Sequence, residues 1–366
     1  MGDGSDATIF VLVVVGRLLL PLLIFRFPIV GIMICLVLDG IDQTIFQKYT
    51  DLDLSGYQSY DKALDVYYLS LAYIATMRNW VNPGAWGVGA FLFFYRLAGV
   101  FVFEVSGATH RVLLLIFPNT FEYFFICYEA IRSRWDPARI SRHFWIWAAA
   151  LIWVFIKLPQ EYWIHVAKLD VTDTIRDYPV QSVLVFLALA GLLVAAYFVG
   201  RTRAKPADHS WQIAAPPLPD EMDELKERQA FRIAHGRVFD WWLLEKIVLI
   251  ALVCSIFVQI LPGLEVTALQ VTAAVAVLVI VNSFVSLFTA RRGWGVQSAL
   301  WTFVILAVFN VAFVGVAEWL LGAGDDFESA DGTFFILLLT LIVSTYDRYR
   351  PVLETRLGRS LVPQQS

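Results

Sequence analysis

The sequence predicts an all-α, polytopic integral membrane protein, folded as a bundle of about ten transmembrane helices. Hydrophobic residues make up 58% of the 366 residues and charged residues only 16%. The mean hydropathy is +0.65, and apolar stretches recur along the whole chain. A membrane span needs roughly 20 apolar residues to cross about 30 Å of hydrocarbon. Because backbone groups cannot stay unpaired in lipid, stretches of this length should be helices.

The apolar stretches define the predicted spans in chain order. The first, residues 8–38, is longer than one span and is interrupted by Pro21, Arg26 and Pro28. We expect a kinked lead-in followed by a crossing at 18–38, and the sequence leaves open whether this stretch crosses once or twice. The other predicted spans are 63–77, 86–105, 111–130, 143–158, 180–200, 242–262, 266–290, 298–321 and 332–346.

One hydrophilic stretch, 201–240, divides the spans. It begins with a proline-rich part, Pro206 to Pro219, and continues with a run that opens Asp-Glu-Met-Asp-Glu at position 220. Acidic residues in a first turn are typical of a helix N-terminus. We therefore predict a cytoplasmic linker and amphipathic helix at 201–240. The predicted domains are a six-span bundle at 1–200, this linker, a four-span bundle at 241–350 and a cytoplasmic tail at 351–366.

The charges in the gaps predict an orientation. Lys and Arg in short loops mark the cytoplasmic side of a membrane protein. We therefore predict a plasma-membrane or inner-membrane protein with both termini in the cytoplasm and three acidic loops outside. The basic segments are 131–142, 201–205, 291–297 and 348–359, and the acidic segments are 39–61, 159–179 and 323–331.

Aspartates at the mouths of the first two predicted spans form the main candidate site. Asp39 and Asp42 follow the first span, and Asp61 and Asp65, four residues apart, share one helix face at the start of the second. We predict these four as catalytic residues. Clustered carboxylates suit Mg²⁺ or Mn²⁺, so a metal site at Asp39, Asp61 and Asp65 is a further prediction. The alternative is that these aspartates only cap helices and populate outer loops.

Residues 16–66 resemble the CDP-alcohol phosphotransferase family. The likeness rests on Asp39-Gly40 at the end of one span, on the pair Asp61 and Asp65 at the start of the next, and on the lead-in that begins at Arg17. In that family the aspartates bind a divalent metal, and one of them acts as base for the attacking alcohol. The resemblance implies these roles for Asp39, Asp61 and Asp65.

The chain also departs from that family's pattern. Leu36 stands where the motif has a leading Asp, and Gln43-Thr44 stands where it has Ala-Arg. The family usually has six spans and works on the cytoplasmic face, whereas the loop charges place this cluster outside. In its outward topology the chain is similar instead to polytopic glycosyltransferases that use polyprenyl-phosphate sugars, whose first outer loop carries an acidic site. The matching loop here contains Asp39, Asp42, Asp51 and Asp53.

A second polar group lies in and after the later spans. Arg96 is in the middle of the third span, and Glu122 and Asn119 lie beside a proline break in the fourth. Charges at depth cost ~3 kcal/mol each, so they usually pair or line a cavity. Arg96 is expected either to pair with Glu122 or to bind an anionic headgroup. Glu161 and His165, four residues apart, are predicted to bind substrate, bind a metal or relay a proton; the alternative is an interfacial belt.

Three functional hypotheses follow. The leading one is a metal-dependent transferase that acts on a lipid-linked or phosphorylated substrate at an outward-facing Asp cluster. The second is a proton- or ion-coupled transporter that uses Arg96, Glu122 and Glu129. The third is a non-catalytic scaffold whose acidic outer loops bind a protein partner. Membrane lipids are expected partners and nucleic acid is not, and the sequence contains no Walker A or Gly-rich dinucleotide motif.

Overall fold

The computed structural model describes residues 3–50, 57–107, 110–167, 171–188, 191, 206–224, 227, 241–260, 267–292, 299–321 and 329–358. Every regular element within those ranges is a helix, so the predicted all-α class is confirmed there. The helices are α1 (Asp3–Leu19), α2 (Pro28–Tyr49), α3 (Tyr57–Asn79), α4 (Pro83–Val105), α5 (Val112–Ile116), α6 (Thr120–Arg132), α7 (Arg142–Leu151), α8 (Leu158–Glu161), α9 (Val171–Asp177), α10 (Pro179–Ala188), α11 (Asp220–Asp223), α12 (Trp241–Ile260), α13 (Ala268–Arg291), α14 (Ala299–Leu321) and α15 (Ser329–Arg356).

The first apolar stretch, for which the sequence left one or two crossings open, forms a helical hairpin whose turn lies within the crossing predicted at 18–38. α1 continues as a 3-10 helix over Leu20–Phe25, and α2 begins at Pro28. Proline suits the first turn of a helix, because the N–H that it lacks has no partner there. A Cβ on Gly31 would lie 2.6 Å from the backbone nitrogen of Ile24, so glycine allows the two segments to pack closely.

Two helices extend further than the sequence predicted. α2 runs to Tyr49, well past Asp39 and Asp42, which were predicted to follow the end of a span. The chain from Arg142 stays helical to Val166, with π-helical turns before and after α8. Part of the predicted outer loop 159–179 is therefore helix.

Four helical segments in the described part are long and apolar enough to cross a membrane: Thr8–Phe25, Pro83–Val105, Val112–Arg132 and Trp241–Val258. Three further apolar helices there are shorter: Pro179–Ala188, Leu269–Val285 and Leu300–Ala312. These helices are compatible with an integral membrane protein. They number fewer than the ten spans predicted from hydropathy.

Helices from both sides of the hydrophilic stretch share one core. α3 packs against α4, α12 and α15, and α12 also packs against α4. Buried side chains from Ile24 to Leu353 belong to one apolar cluster. The described helices on either side of 201–240 are therefore in contact. The predicted division into an N-terminal and a C-terminal bundle stays a prediction.

The proline-rich segment 206–219 lies across one end of the bundle. Its Ala215 N–H donates to the Arg26 carbonyl at 2.8 Å, and its Gln212 N–H donates to the Ser133 carbonyl at 3.0 Å. The Arg356 guanidinium donates to the Pro217 carbonyl at 2.5 Å. The turn after α1, the end of α6 and the end of α15 therefore meet here, and we call this the arginine-rich end. Most of the amphipathic helix predicted after Asp220 lies outside the described residues.

Candidate functional site

Three carboxylates converge on one buried arginine between α1, α2 and α3. The Arg17 Nη1 donates to Asp42, and Nη2 donates to Asp39 Oδ1 at 2.5 Å and to Asp65 Oδ1 at 3.0 Å. Asp39 and Asp42 are three residues apart on α2 and therefore share a face. We call these four residues the Arg17 cluster. The sequence placed the three aspartates near one another, and the structure brings them into contact through Arg17.

The members of the Arg17 cluster differ in exposure. The Arg17 side chain is 3% exposed and that of Asp42 is fully buried. The side chains of Asp39 and Asp65 are 26% and 18% exposed. Asp42 therefore anchors the guanidinium, whereas the side chains of Asp39 and Asp65 are partly exposed.

The Arg17 cluster lies inside the helical hairpin and not on a loop. Asp39 is 12 residues after Phe27, which places it about 18 Å from the turn at a rise of 1.5 Å per residue. That turn lies at the arginine-rich end, so the cluster lies well away from it. The side chain of Asp61 and the whole of Asp51 and Asp53 fall outside the described residues.

The described carboxylates do not fit a divalent metal. Arg17 contacts all three of them, so its charge occupies the position that a cation would take. No group of three or more His, Cys, Asp or Glu side chains in the described part of the chain is arranged to bind a metal. The metal site predicted at Asp39, Asp61 and Asp65 stays a prediction, since it includes Asp61, and we assign no metal chemistry to the cluster.

An apolar groove runs along α2, the helix that carries Asp39 and Asp42. It has a volume of about 530 Å³ and is lined by aliphatic side chains and Met33. Its lining extends from Ile29 to Leu38 and Ile41, the residues that flank Asp39 and precede Asp42. Asp39 and Asp42 adjoin these residues in sequence, but side chains one position apart on a helix point about 100° apart, and neither aspartate lines the groove.

A second polar network surrounds Glu122, at the start of α6. The Tyr68 hydroxyl donates to Glu122 Oε1 at 2.6 Å, and the Asn119 side-chain amide donates to Oε2 at 3.2 Å. Tyr68 is three residues after Asp65 on α3, so the two side chains share a face. The Glu122 network and the Arg17 cluster are therefore neighbours on α3.

The proline break predicted in the fourth span is present, because α5 ends at Ile116 and α6 begins at Thr120. The break exposes the Phe117 carbonyl, and Arg96 Nη1 donates to it at 2.9 Å. The expected ion pair between Arg96 and Glu122 is therefore replaced by a bond to the backbone. Arg96 is 7% exposed, which leaves little surface for an anionic headgroup.

Glu161 joins the Glu122 network from α8. Its Oε1 accepts from the Asn119 backbone N–H at 3.1 Å and lies 3.6 Å from Lys157 Nζ. The Glu161 side chain is buried inside the bundle, whereas the sequence placed it on an outer loop. The side chain of His165, its predicted partner, lies outside the described residues. Glu129 belongs to a separate contact, with Arg132 and Trp80.

Sequence reasoning missed three residues of these networks. Arg17 was noted only in the lead-in to a family motif, although a lone arginine in an apolar stretch is itself a signal for buried charge. Lys157 gave the same signal at the end of a predicted span. Tyr68 gave none, because a tyrosine on an apolar helix usually marks core or interface.

Comparisons with family models, with curated proteins and with solved structures found no match to this chain. The resemblance to CDP-alcohol phosphotransferases, the similarity to polyprenyl-phosphate glycosyltransferases and the scaffold hypothesis therefore all stay predictions.

Proposed function

We propose that this protein is an integral membrane enzyme that transfers a group to or from a lipid-linked or phosphorylated substrate at the Arg17 cluster. One observation carries the proposal: three carboxylates meet at Arg17, and the helix that supplies two of them also lines an apolar groove. Ionisable groups within apolar helices are costly and are usually retained for function. A lipid with a polar headgroup suits both the polar Arg17 cluster and the apolar groove.

The exposed fractions of the side chains support different roles for the three carboxylates of the cluster. Asp42, fully buried, fixes Arg17, and Arg17 fixes the orientation of the other two carboxylates. Asp39 or Asp65 would act as general base: its carboxylate takes the proton of an acceptor hydroxyl while that oxygen attacks the donor substrate, and the leaving group departs from the donor.

The groove would bind the hydrocarbon chain of the substrate. Its lining is aliphatic apart from the Met33 thioether, so a hydrocarbon chain would lose no hydrogen bond on entering it. With Leu38 and Ile41 at one end of the groove, the headgroup would lie within about one helical turn of Asp39 along the axis of α2. This favours a membrane lipid over a soluble metabolite.

For the membrane topology we propose about ten crossings with the arginine-rich end in the cytoplasm, on the positive-inside rule. The Thr8–Phe25 segment is apolar and only 22% of it is buried within the protein, which suits contact with lipid. If α1 crosses in addition, residue 3 lies outside while Arg356 lies in the cytoplasm. This arrangement differs from the expectation that both termini are cytoplasmic.

The test compares lipids in a deletion strain that carries variants of the gene. We expect the double variant Asp39→Asn with Asp65→Asn to fail to restore the wild-type lipid profile in the deletion strain. Untargeted mass spectrometry of membrane extracts measures the profile. The matched control is Asp177→Asn, an exposed carboxylate in a surface pair, which should restore the wild-type profile. A wild-type profile with the double variant at normal protein level would refute a catalytic role.

A groove variant tests the lipid itself. Val37 lines the groove and Val11 does not, and the two are equally exposed, at 54% and 55%. We expect Val37→Trp to fill the groove and to abolish complementation, whereas Val11→Trp should leave it intact. Equal effects of the two would show that the groove binds nothing that matters for function.

A second candidate, an ion-coupled transporter, is favoured by the Glu122 network. Asn119 Oδ1 and the Thr120 hydroxyl are buried there without a hydrogen-bond partner. Buried polar atoms of this kind are usually satisfied by water, and a water chain could conduct protons. Flux in proteoliposomes that depends on an ion gradient and is lost in Glu122→Gln would support transport, and gradient-independent lipid turnover would exclude it.

A further inference from the structure

Arginines from three helices meet under the proline-rich segment at the arginine-rich end. Arg78 Nη1 donates to the Pro216 carbonyl and Arg132 Nη1 to the Ala214 carbonyl, both at 3.2 Å, and Arg356 donates to Pro217. The three acceptors lie within four consecutive residues, and an extended chain of that length spans at most about 14 Å. The three guanidinium groups therefore contact one short stretch of the proline-rich segment.

Positive charge exceeds negative charge at this place. Among the described residues, the carboxylate in ion-pair contact with the three arginines is Glu129, which pairs with Arg132. Arg78 and Arg356 are bound by neutral carbonyls and, for Arg78, also by the Asn79 side-chain oxygen. Carbonyl oxygens satisfy donors but do not neutralise charge.

The electrostatics agree with this excess. Burial and the charges of Arg78 and Arg132 lower the pKa of Arg356 to about 10. Burial is also the main cause that lowers the pKa of Arg78, and the charges of Arg348 and Arg132 add to it. Both guanidinium groups are thus held where an anion would stabilise them.

Two donors at this place lack a partner. Arg132 Nη2 and Arg356 Nε are buried and make no hydrogen bond. The Arg132 side chain is only 7% exposed. An unpaired buried donor of a charged group is costly, so it usually marks a site that a ligand or water completes.

We propose that Arg78, Arg132 and Arg356 form a binding site for a phosphate group under the proline-rich segment. The guanidinium fork matches phosphate oxygens and gives the strongest class of hydrogen bond available to them. The phosphate belongs either to the headgroup of an anionic phospholipid or to a free phosphate compound. The site lies at the turn of the hairpin, about 18 Å along α2 from the Arg17 cluster, and does not depend on the proposed enzyme activity.

The test uses the purified full-length chain in nanodiscs of phosphatidylcholine. Inorganic phosphate and pyrophosphate are titrated by calorimetry, and the chain is also placed in nanodiscs that contain phosphatidylglycerol, with retained lipid read by native mass spectrometry. The variants are Arg356→Gln, Arg78→Gln and the charge-conserving Arg356→Lys. The control is Arg139→Gln, whose side chain is 73% exposed in a surface pair at the same end.

We expect Arg356→Gln and Arg78→Gln each to weaken binding by about tenfold or more, since each removes a charge-assisted hydrogen bond. Arg356→Lys should lose less, and Arg139→Gln should match the wild type. Binding of inorganic phosphate or pyrophosphate identifies a soluble ligand, and selective retention of phosphatidylglycerol alone identifies a headgroup.

Absence of both signals in the wild type overturns the proposal, and so does an equal loss in Arg139→Gln. Melting curves without anion check that each variant is folded. Should Arg356→Gln be unfolded, Arg78→Gln decides the outcome.

Discussion

Arg17 and Arg350 are both buried arginines bound by carboxylates, yet their surroundings differ. Arg350 on α15 contacts Glu245 of α12 at 3.2 Å and Glu354 at 2.7 Å, and the rings of Trp86 and Trp242 lie within 5.4 Å of its guanidinium carbon. Both glutamates are at most 8% exposed. The Arg17 cluster has one carboxylate more, and two of its three carboxylates are partly exposed.

The difference separates a structural contact from a site. Around Arg350 the aromatic rings cover the charges, and Tyr73 adds a hydrogen bond from α3 to Glu245. This cluster joins helices from both sides of the hydrophilic stretch and leaves little space for a ligand. The Arg17 cluster has three carboxylates to one arginine, two of these carboxylates are on partly exposed side chains, and its helix α2 also lines an apolar groove. Burial of a charged pair alone therefore does not indicate function, whereas incomplete coverage does.

The largest effect on stability is expected at Arg350. Arg350→Met leaves Glu245 and Glu354 buried without their cation, which typically costs about 3–5 kcal/mol. Arg17→Met should cost less, because water can reach Asp39 and Asp65. The free energy of unfolding in detergent, measured by denaturant titration, gives both values. A larger loss for Arg17→Met would show that the carboxylates of the Arg17 cluster are the less hydrated ones.

The next effect is expected within the Arg17 cluster, at Asp42. Asp42→Asn places a neutral group at the fully buried position and weakens the anchor of Arg17, for a cost of about 1–3 kcal/mol. The same titration measures it, with Asp177→Asn as a surface control whose change should stay below about 1 kcal/mol. If the two variants were equally stable, Asp42 would not be the anchor that the geometry indicates.

The sequence predicted the fold class and part of the candidate site. Helices follow from long apolar stretches, and Asp39, Asp42 and Asp65 stood out because they cluster at the mouths of two neighbouring predicted spans. The break before Thr120 was also visible, since proline ends a helix. These are local signals, and each depends on few residues.

The sequence could not show which side chains meet. The contact of Arg17 with Asp65 joins residues 48 positions apart, and that of Arg350 with Glu245 joins residues 105 apart. Arg96 is an example: Glu122, in the neighbouring span beside the proline break, was expected to be its partner, whereas Arg96 donates to the Phe117 carbonyl. Helix packing decides these contacts, and a single sequence contains no direct record of it.

A smaller effect should appear where the Arg17 cluster meets the Glu122 network. Tyr68→Phe removes one hydrogen bond to Glu122 and leaves the one from Asn119, so we expect a loss of about 1–2 kcal/mol. A double-mutant cycle with Asp65→Asn then tests whether the two networks act together. A coupling energy near zero would separate them and would leave the Arg17 cluster as an independent site.

The smallest change in stability, with the largest change in function, is expected at Asp39 and Asp65. Each is partly exposed and shares Arg17 with Asp42, so Asp39→Asn or Asp65→Asn should cost no more than about 1 kcal/mol of unfolding free energy. Complementation should nevertheless fail in at least one of them, because the neutral amide cannot accept a proton. The matched variant in the cluster around Arg350 is Glu354→Gln, which should lower the free energy of unfolding more and still restore the wild-type lipid profile. The reverse result, with stable and functional Asp39→Asn and Asp65→Asn, would make the Arg17 cluster a structural contact of the same kind as that around Arg350.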